Sequence, residues 1–137
     1  MVILVVEDET FIALVLEITL RFAGHDVLGP AATAEEALGL AARERPELAL
    51  VDIILRDRGD GVALARALRD RYGTPSLFLS GQAPQAHANR DAAWGLIRKP
   101  YDPEAVVAAV EVMDVLLDGR APGHVPPQLE LFRKPPA

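Results

Sequence analysis

The chain has 137 residues, of which half are hydrophobic and a quarter charged, and it carries a formal net charge of −6 with no cysteine. That length suits one ordinary domain, and that balance supports a packed core rather than disorder. The acid excess and the lack of any local basic cluster argue against nucleic-acid binding, and the missing cysteines exclude disulfides and thiolate metal sites.

Residues 1–6 (MVILVV) are apolar but run straight into Glu7-Asp8-Glu9, with neither the basic start nor the small-residue cleavage site of a signal peptide. No apolar run reaches the roughly 20 residues of a membrane helix. A cytoplasmic protein with no membrane contact is expected.

Short apolar runs alternate with longer segments of helical period. Val2–Val6 reads as a buried strand, continuous in β-branched residues and Leu. A helix is predicted from about Thr10 to Ala23, with Ile12, Leu16 and Leu20 on one face and Gly24 ending it. Asp26–Gly29 is a second strand. Thr33-Ala-Glu-Glu36 is a capping-box pattern that opens a helix to about Arg45, before Pro46. Leu48–Val51 is a third strand, ending at Asp52. A loop with Gly59 and Gly61 leads to a helix near Val62–Arg71. Thr74-Pro75 opens a fourth strand, Ser76–Leu79, ending at Ser80-Gly81. A weaker helix follows near Gln85–Ala93, then a fifth strand, Leu96–Arg98, ending at Lys99-Pro100. Asp102-Pro103 is a cap followed by proline at the first helical position, and the last helix runs to about Leu117.

Five strands alternating with helices predict an α/β fold with a parallel sheet covered on both faces. Right-handed crossovers favour the doubly wound arrangement, whose ligands bind beyond the carboxyl ends of the strands. Residues 119–137 hold five of the eleven prolines and show no helical period. They read as a flexible Pro-rich tail after a domain of residues 1–118.

The strand ends carry chemistry. Glu7 and Asp8 follow the first strand, Asp52 ends the third, Ser80 follows the fourth and Lys99 the fifth. Three carboxylates brought together repel and call for a cation. An all-oxygen donor set suits Mg²⁺. A carboxylate can accept a phosphoryl group, and such transfer needs in-line positioning with cations against the equatorial oxygens. Glu7 and Asp8, adjacent on one turn, suit the metal. Asp52, alone at the end of an apolar strand, suits the acceptor. Lys99 supplies a second cation, and the Ser80 hydroxyl can hydrogen-bond a bound phosphoryl group. Lys99 is one of only two lysines against twelve arginines.

These residues resemble the receiver domains of bacterial response regulators over roughly residues 1–118. The likeness is carried by Val-Val-Glu-Asp-Glu at 5–9, Leu-Val-Asp-Ile at 50–53, Leu-Ser-Gly at 79–81 and Lys-Pro-Tyr at 99–101. The resemblance implies a flavodoxin-like five-stranded parallel sheet in the order 2-1-3-4-5. It implies Mg²⁺ held by Glu7, Asp8, Asp52 and the backbone carbonyl of Ile54, with Asp52 as phosphoacceptor, Ser80 as switch hydroxyl and Lys99 as the phosphate-binding cation. The donor it implies is a phosphohistidine on a sensor histidine kinase or a histidine phosphotransfer protein. The chain would then be a switch that catalyses only its own phosphorylation and dephosphorylation.

Two departures qualify the likeness. Leu96 stands where many receivers carry a switch aromatic in the fifth strand. The stretch Pro75-Ser-Leu-Phe-Leu-Ser-Gly81 instead is similar to a receiver subgroup without that aromatic, often made of single domains, and movement of the loop after the fourth strand would carry the signal. The tail after Leu117 is too short for a DNA-binding module, so output is expected through contact with an effector protein, or the chain serves as a phosphate sink draining a shared kinase. A third reading, a small magnesium-dependent phosphatase or nuclease, lacks a Walker-type loop and a second base. Val112, Val115 and Leu116 lie off the main apolar stripe of the last helix, and Trp94 precedes the fifth strand. A partner or homodimer surface on the fourth helix, fifth strand and last helix is therefore expected.

Overall fold

The computed structural model describes residues 1–55 and 60–133. The elements are β1 (Val2–Val6), α1 (Thr10–Phe22), β2 (Asp26–Ala31), α2 (Ala34–Arg43), β3 (Leu48–Asp52), α3 (Gly61–Tyr72), β4 (Ser76–Ser80), α4 (Ala83–Ala88), β5 (Gly95–Arg98), α5 (Pro103–Leu117) and β6 (Leu129–Leu131). A single 3₁₀ turn, Arg90–Ala92, joins α4 to β5. The sheet order is β2-β1-β3-β4-β5-β6. The first five strands pair in parallel and β6 pairs antiparallel with β5. The five-stranded expectation thus becomes six, with the 2-1-3-4-5 order intact.

The central strands are apolar runs because both their faces are covered. Along β1, Ile3 and Val5 enter the apolar cluster that holds Leu16 and Leu20 of α1 and Val110 and Met113 of α5. Leu4 and Val6 enter the opposite cluster, with Ala37 of α2 and Leu64 and Leu68 of α3. That alternation is the two-residue side-chain period of a strand. Ile12 packs against the first cluster too, so the predicted core face of α1 is the one buried.

Local signals at the helix ends act unequally. Thr33 Oγ1 accepts from the Glu36 N–H at 3.1 Å, and the Glu36 carboxylate accepts from the Ala32 N–H, so the capping box forms one residue wider than its usual pairing. Gly73 closes α3 at φ 66°, a left-handed conformation suited to glycine. Asp102 holds the cap position of α5, but its side chain makes no capping bond. The weak helix predicted over 85–93 starts earlier, at Ala83, because Pro84 favours a first turn. It ends at Ala88, and the 3₁₀ turn takes up the rest. Gly59 lies outside the described residues.

The tail departs most from expectation. Instead of hanging loose from residue 119, it folds back and adds β6 to the free edge of β5. Leu129 is buried and joins the α5 side of the core, with Val125 and Leu131 packed against it. Gly95 admits the strand: a Cβ there would lie 2.5 Å from the Glu130 carbonyl oxygen. The same closure corrects the expected surface. Val112 and Leu116 are buried, and the outer edge of β5 is occupied by the chain's own C-terminal segment. Trp94 is half-buried, and the Arg133 guanidinium sits 4.5 Å above its ring. No helix among the described residues is long and apolar enough to cross a membrane.

Candidate functional site

Four parallel strands end at the same edge of the sheet, and each delivers a polar side chain there. Asp52 is the last residue of β3 and Ser80 the last of β4. Glu7 directly follows β1, and its backbone N–H donates to the Ala31 carbonyl at 2.9 Å. Lys99 directly follows β5, its N–H bonded to the Ser80 carbonyl at 2.9 Å. Glu7, Asp52 and Ser80 are buried, and Asp8 is half-buried. The sheet thus takes out of water groups that prefer to be in it, which is tolerable only if they satisfy one another.

They do so around Lys99. Its Nζ donates to Glu7 Oε1 and to Asp52 Oδ2, each at 2.9 Å. The second oxygen of Asp52 accepts from the Ile54 N–H at 3.1 Å, and the second oxygen of Glu7 accepts from the Glu9 N–H at 3.3 Å. Ser80 Oγ accepts from the Gln82 N–H at 2.9 Å, which ties it to the start of α4. Glu7, Asp8 and Asp52 each offer one carboxylate oxygen, and the three oxygens lie within 4.8 Å of one another. An open depression of about 510 Å³ gives solvent access to Asp8, Asp52, Ser80 and Lys99. All five side chains singled out in the sequence are therefore brought to one place. Ile54 sits beside them, half-exposed, and contributes its backbone.

One ammonium facing two buried carboxylates is an unbalanced arrangement. Burial raises the Glu7 pKa above its ordinary 4.5, and although Lys99 pulls it down, the neighbouring Asp52 charge adds to the rise. Burial by itself would lower the Lys99 pKa, but its hydrogen bonds to Asp52 and Glu7 outweigh that and leave it raised. The two shifts look inconsistent for a simple ion pair, in which the acid would fall as the base rises. They agree once the stoichiometry among the described residues is counted: Lys99 is held charged by two acids, while each acid shares that one ammonium. A divalent cation with a preference for hard oxygen donors would fit this donor set and supply the missing charge. Tyr101 reflects the same surplus, since burial and then Glu7, Asp52 and Glu9 raise its phenol far above the usual tyrosine range.

Two features were not visible in the motifs. Lys99 bridges Glu7 and Asp52; the sequence suggests a cation near Asp52 but not its second partner. Gly61 packs behind the acidic strand end, where a Cβ would fall 2.1 Å from the Asp52 carbonyl oxygen. The only sequence sign of that approach is a glycine at the start of a helix, in a loop already rich in turn residues.

Comparison with known proteins agrees with this geometry. The family model for the response regulator receiver domain matches residues 3–111. The chain belongs to the response regulator receiver family. It is 34% identical over 110 residues to the phyllosphere-induced regulator PhyR of Methylorubrum extorquens, covering 79% of this chain and 41% of that protein. It superposes with a TM-score of 0.74 on a CheY-like receiver domain protein from Methanospirillum hungatei, at 30% identity over 82% of this chain and 91% of the other. The chemotaxis response regulator CheY4 of Vibrio cholerae gives a TM-score of 0.73 at 27% identity, over 80% and 95% of the two chains. The chain spans about half the length of the curated relatives it matches. The flavodoxin-like fold and the class of signalling switch follow from family membership.

Proposed function

We propose that this chain is a phosphoacceptor switch in which Asp52 takes a phosphoryl group from a phosphohistidine donor, either a sensor histidine kinase or a histidine phosphotransfer protein. The carrying observation is the Asp52 carboxylate at the end of a central strand, with the Lys99 ammonium at 2.9 Å and two further acids beside it. In this reading a phosphorus–oxygen bond forms to Asp52 as the phosphorus–nitrogen bond of the donor breaks, and the imidazole leaves. Glu7, Asp8, Asp52 and the Ile54 carbonyl would hold Mg²⁺, whose role when bound is to neutralise charge on the phosphoryl oxygens. Lys99 orients Asp52 and then faces the transferred group. The Ser80 hydroxyl oxygen accepts from the Gln82 N–H, and among the described residues its own proton is left to donate to a phosphoryl oxygen. Output is through an effector protein, and the donor's compartment implies a cytoplasmic location.

The test is intact mass after incubation with acetyl phosphate and Mg²⁺, and then with a panel of phosphohistidine donors. The wild type should gain one phosphoryl group and Asp52→Asn none. Equal gain in the two proteins, or no gain with any donor, overturns the assignment.

A further inference from the structure

The phosphoacceptor reading gives no task to the C-terminal segment, yet this segment is fastened at several independent points. β6 pairs with β5 in the register Gly95↔Leu131, Leu96↔Glu130 and Ile97↔Leu129. The Phe132 N–H donates to the Trp94 carbonyl at 2.9 Å. Glu130 uses both carboxylate oxygens on two different elements: one accepts from Arg98 of β5 at 2.8 Å, and the other bonds His87 of α4. Phe132 meets the His87 ring edge-on, with centroids 5.9 Å apart. The segment therefore closes over the seam between α4 and β5, not over one element alone.

That seam begins at the phosphorylation site. Only Gly81 and Gln82 separate Ser80 from α4, and the Gln82 N–H is bonded to the Ser80 hydroxyl oxygen. On the other side Arg98 is the immediate neighbour of Lys99, whose Nζ is bonded to the oxygen of Asp52 that faces it. A phosphoryl group on Asp52 needs both the Ser80 hydroxyl and the Lys99 ammonium. Turning Ser80 toward it either breaks the Gln82 bond or drags the first turn of α4 along, and His87 sits within a turn of that point. α4 is six residues long and buries only Ala86, so it can shift with little packing lost.

We propose that residues 125–133 form a latch that reads the phosphorylation state of Asp52: Glu130 clamps α4 to β5 in the unphosphorylated protein, and phosphorylation draws the two anchors apart and lets the strand go. The proposal rests on the reading of Asp52 as the phosphoacceptor. Release would bare the edge of β5, the place where the sequence leads one to expect a partner surface. Because coupling is reciprocal, an open latch must also favour the phosphorylated form.

Hydrogen exchange of the full chain, with intact mass measured on the same samples, tests this. Peptides covering 125–133 should exchange about tenfold faster or more in the phosphorylated protein, within the usual range of coupling between sites, and Asp52→Asn treated alike should not change. Gly95→Ala should exchange fast in this segment with or without phosphate, because its methyl group collides with the Glu130 carbonyl. Glu130→Gln, which spares the backbone, should exchange at an intermediate rate and reach a higher phosphorylated fraction than wild type at limiting donor. A mass gain with unchanged exchange at 125–133 overturns the latch alone. No mass gain with any donor overturns the phosphoacceptor reading and the latch with it. Phosphorylated fractions of Glu130→Gln and Gly95→Ala equal to or below wild type also count against the latch.

Discussion

The carboxyl end of the sheet and the seam between α4, β5 and β6 both gather acids and bases, and they are built in opposite senses. At the first, two buried carboxylates share one ammonium, and burial raises the Glu7 pKa. At the second, one part-exposed carboxylate has two basic partners. The hydrogen bond from Arg98 holds Glu130 below its ordinary 4.5 against a small burial effect, and His87 adds to the lowering. Among the described residues the site is short of positive charge, and it is open to a cationic ligand. The seam is complete in itself and closes without one. One region thus keeps an excess of acid over described base at the sheet edge, while the other supplies order from pairs already complete.

Removing Lys99 should break the comparison most severely. Lys99→Ala takes from two buried acids the ammonium they share, and a loss of about 3 kcal/mol is expected for stranding such a group, read from urea unfolding in metal-free buffer. Combining it with Asp52→Asn should recover part of that loss, because one of the stranded charges is gone. A loss that Asp52→Asn does not relieve would show that Lys99 acts by packing.

At the seam, apolar burial contributes most. Leu129→Ala should cost about 2 kcal/mol, the low end for truncating a buried leucine because the edge strand can relax, with a matching rise in exchange at residues 129–132. A cost near zero would make β6 an ornament on an already stable sheet.

The pH dependence sharpens the contrast by its sign. Glu130 has a lowered folded pKa, so its contribution is present above 4.5 and is lost as pH falls through the folded value. Glu7 has a raised folded pKa, so it binds a proton more tightly when folded and favours folding less as pH rises through the window above 4.5. Acid below 4.5 should therefore loosen the latch, as seen by exchange at 129–132 corrected for the intrinsic rate, whereas the metal-free acidic end is relieved already in the window above 4.5. Tightening of the latch below 4.5 would reverse the assignment.

Tyr101→Phe should have the smallest effect. The Tyr101 hydroxyl is buried without a hydrogen-bond partner among the described residues. Its removal should be neutral or stabilising by about 1 kcal/mol, read from the urea midpoint. A clear destabilisation would mean that a bound water satisfies this hydroxyl.

Much of the fold was legible because its determinants are local. Val2–Val6, Leu48–Asp52 and Ser76–Ser80 are apolar runs bounded by turn residues, and Thr33 with Glu36 announces α2 at the residue where it starts. Four strand ends bearing Glu7, Asp8, Asp52, Ser80 and Lys99 then imply a common edge once the sheet is parallel. The bridging of Glu7 and Asp52 by Lys99 was not legible, since it joins residues 92 and 47 positions apart. Nor was Gly61, whose task depends on a carbonyl nine residues earlier.

The amino-acid order by itself determined the alternation of strands and helices, the polar residues at the strand ends and the family to which they point. Periodicity and strand termination are properties of a single segment, so they survive without knowledge of the partner. Only the tertiary structure decided the course of residues 119–133 and the burial of Val112 and Leu116. Leu129–Leu131 is too short to show a period, and prolines around it read as loose chain. Its strand exists because β5 offers an unpaired edge, Gly95 leaves room for the Glu130 carbonyl, and Arg98 and His87 wait on two separate elements for one carboxylate.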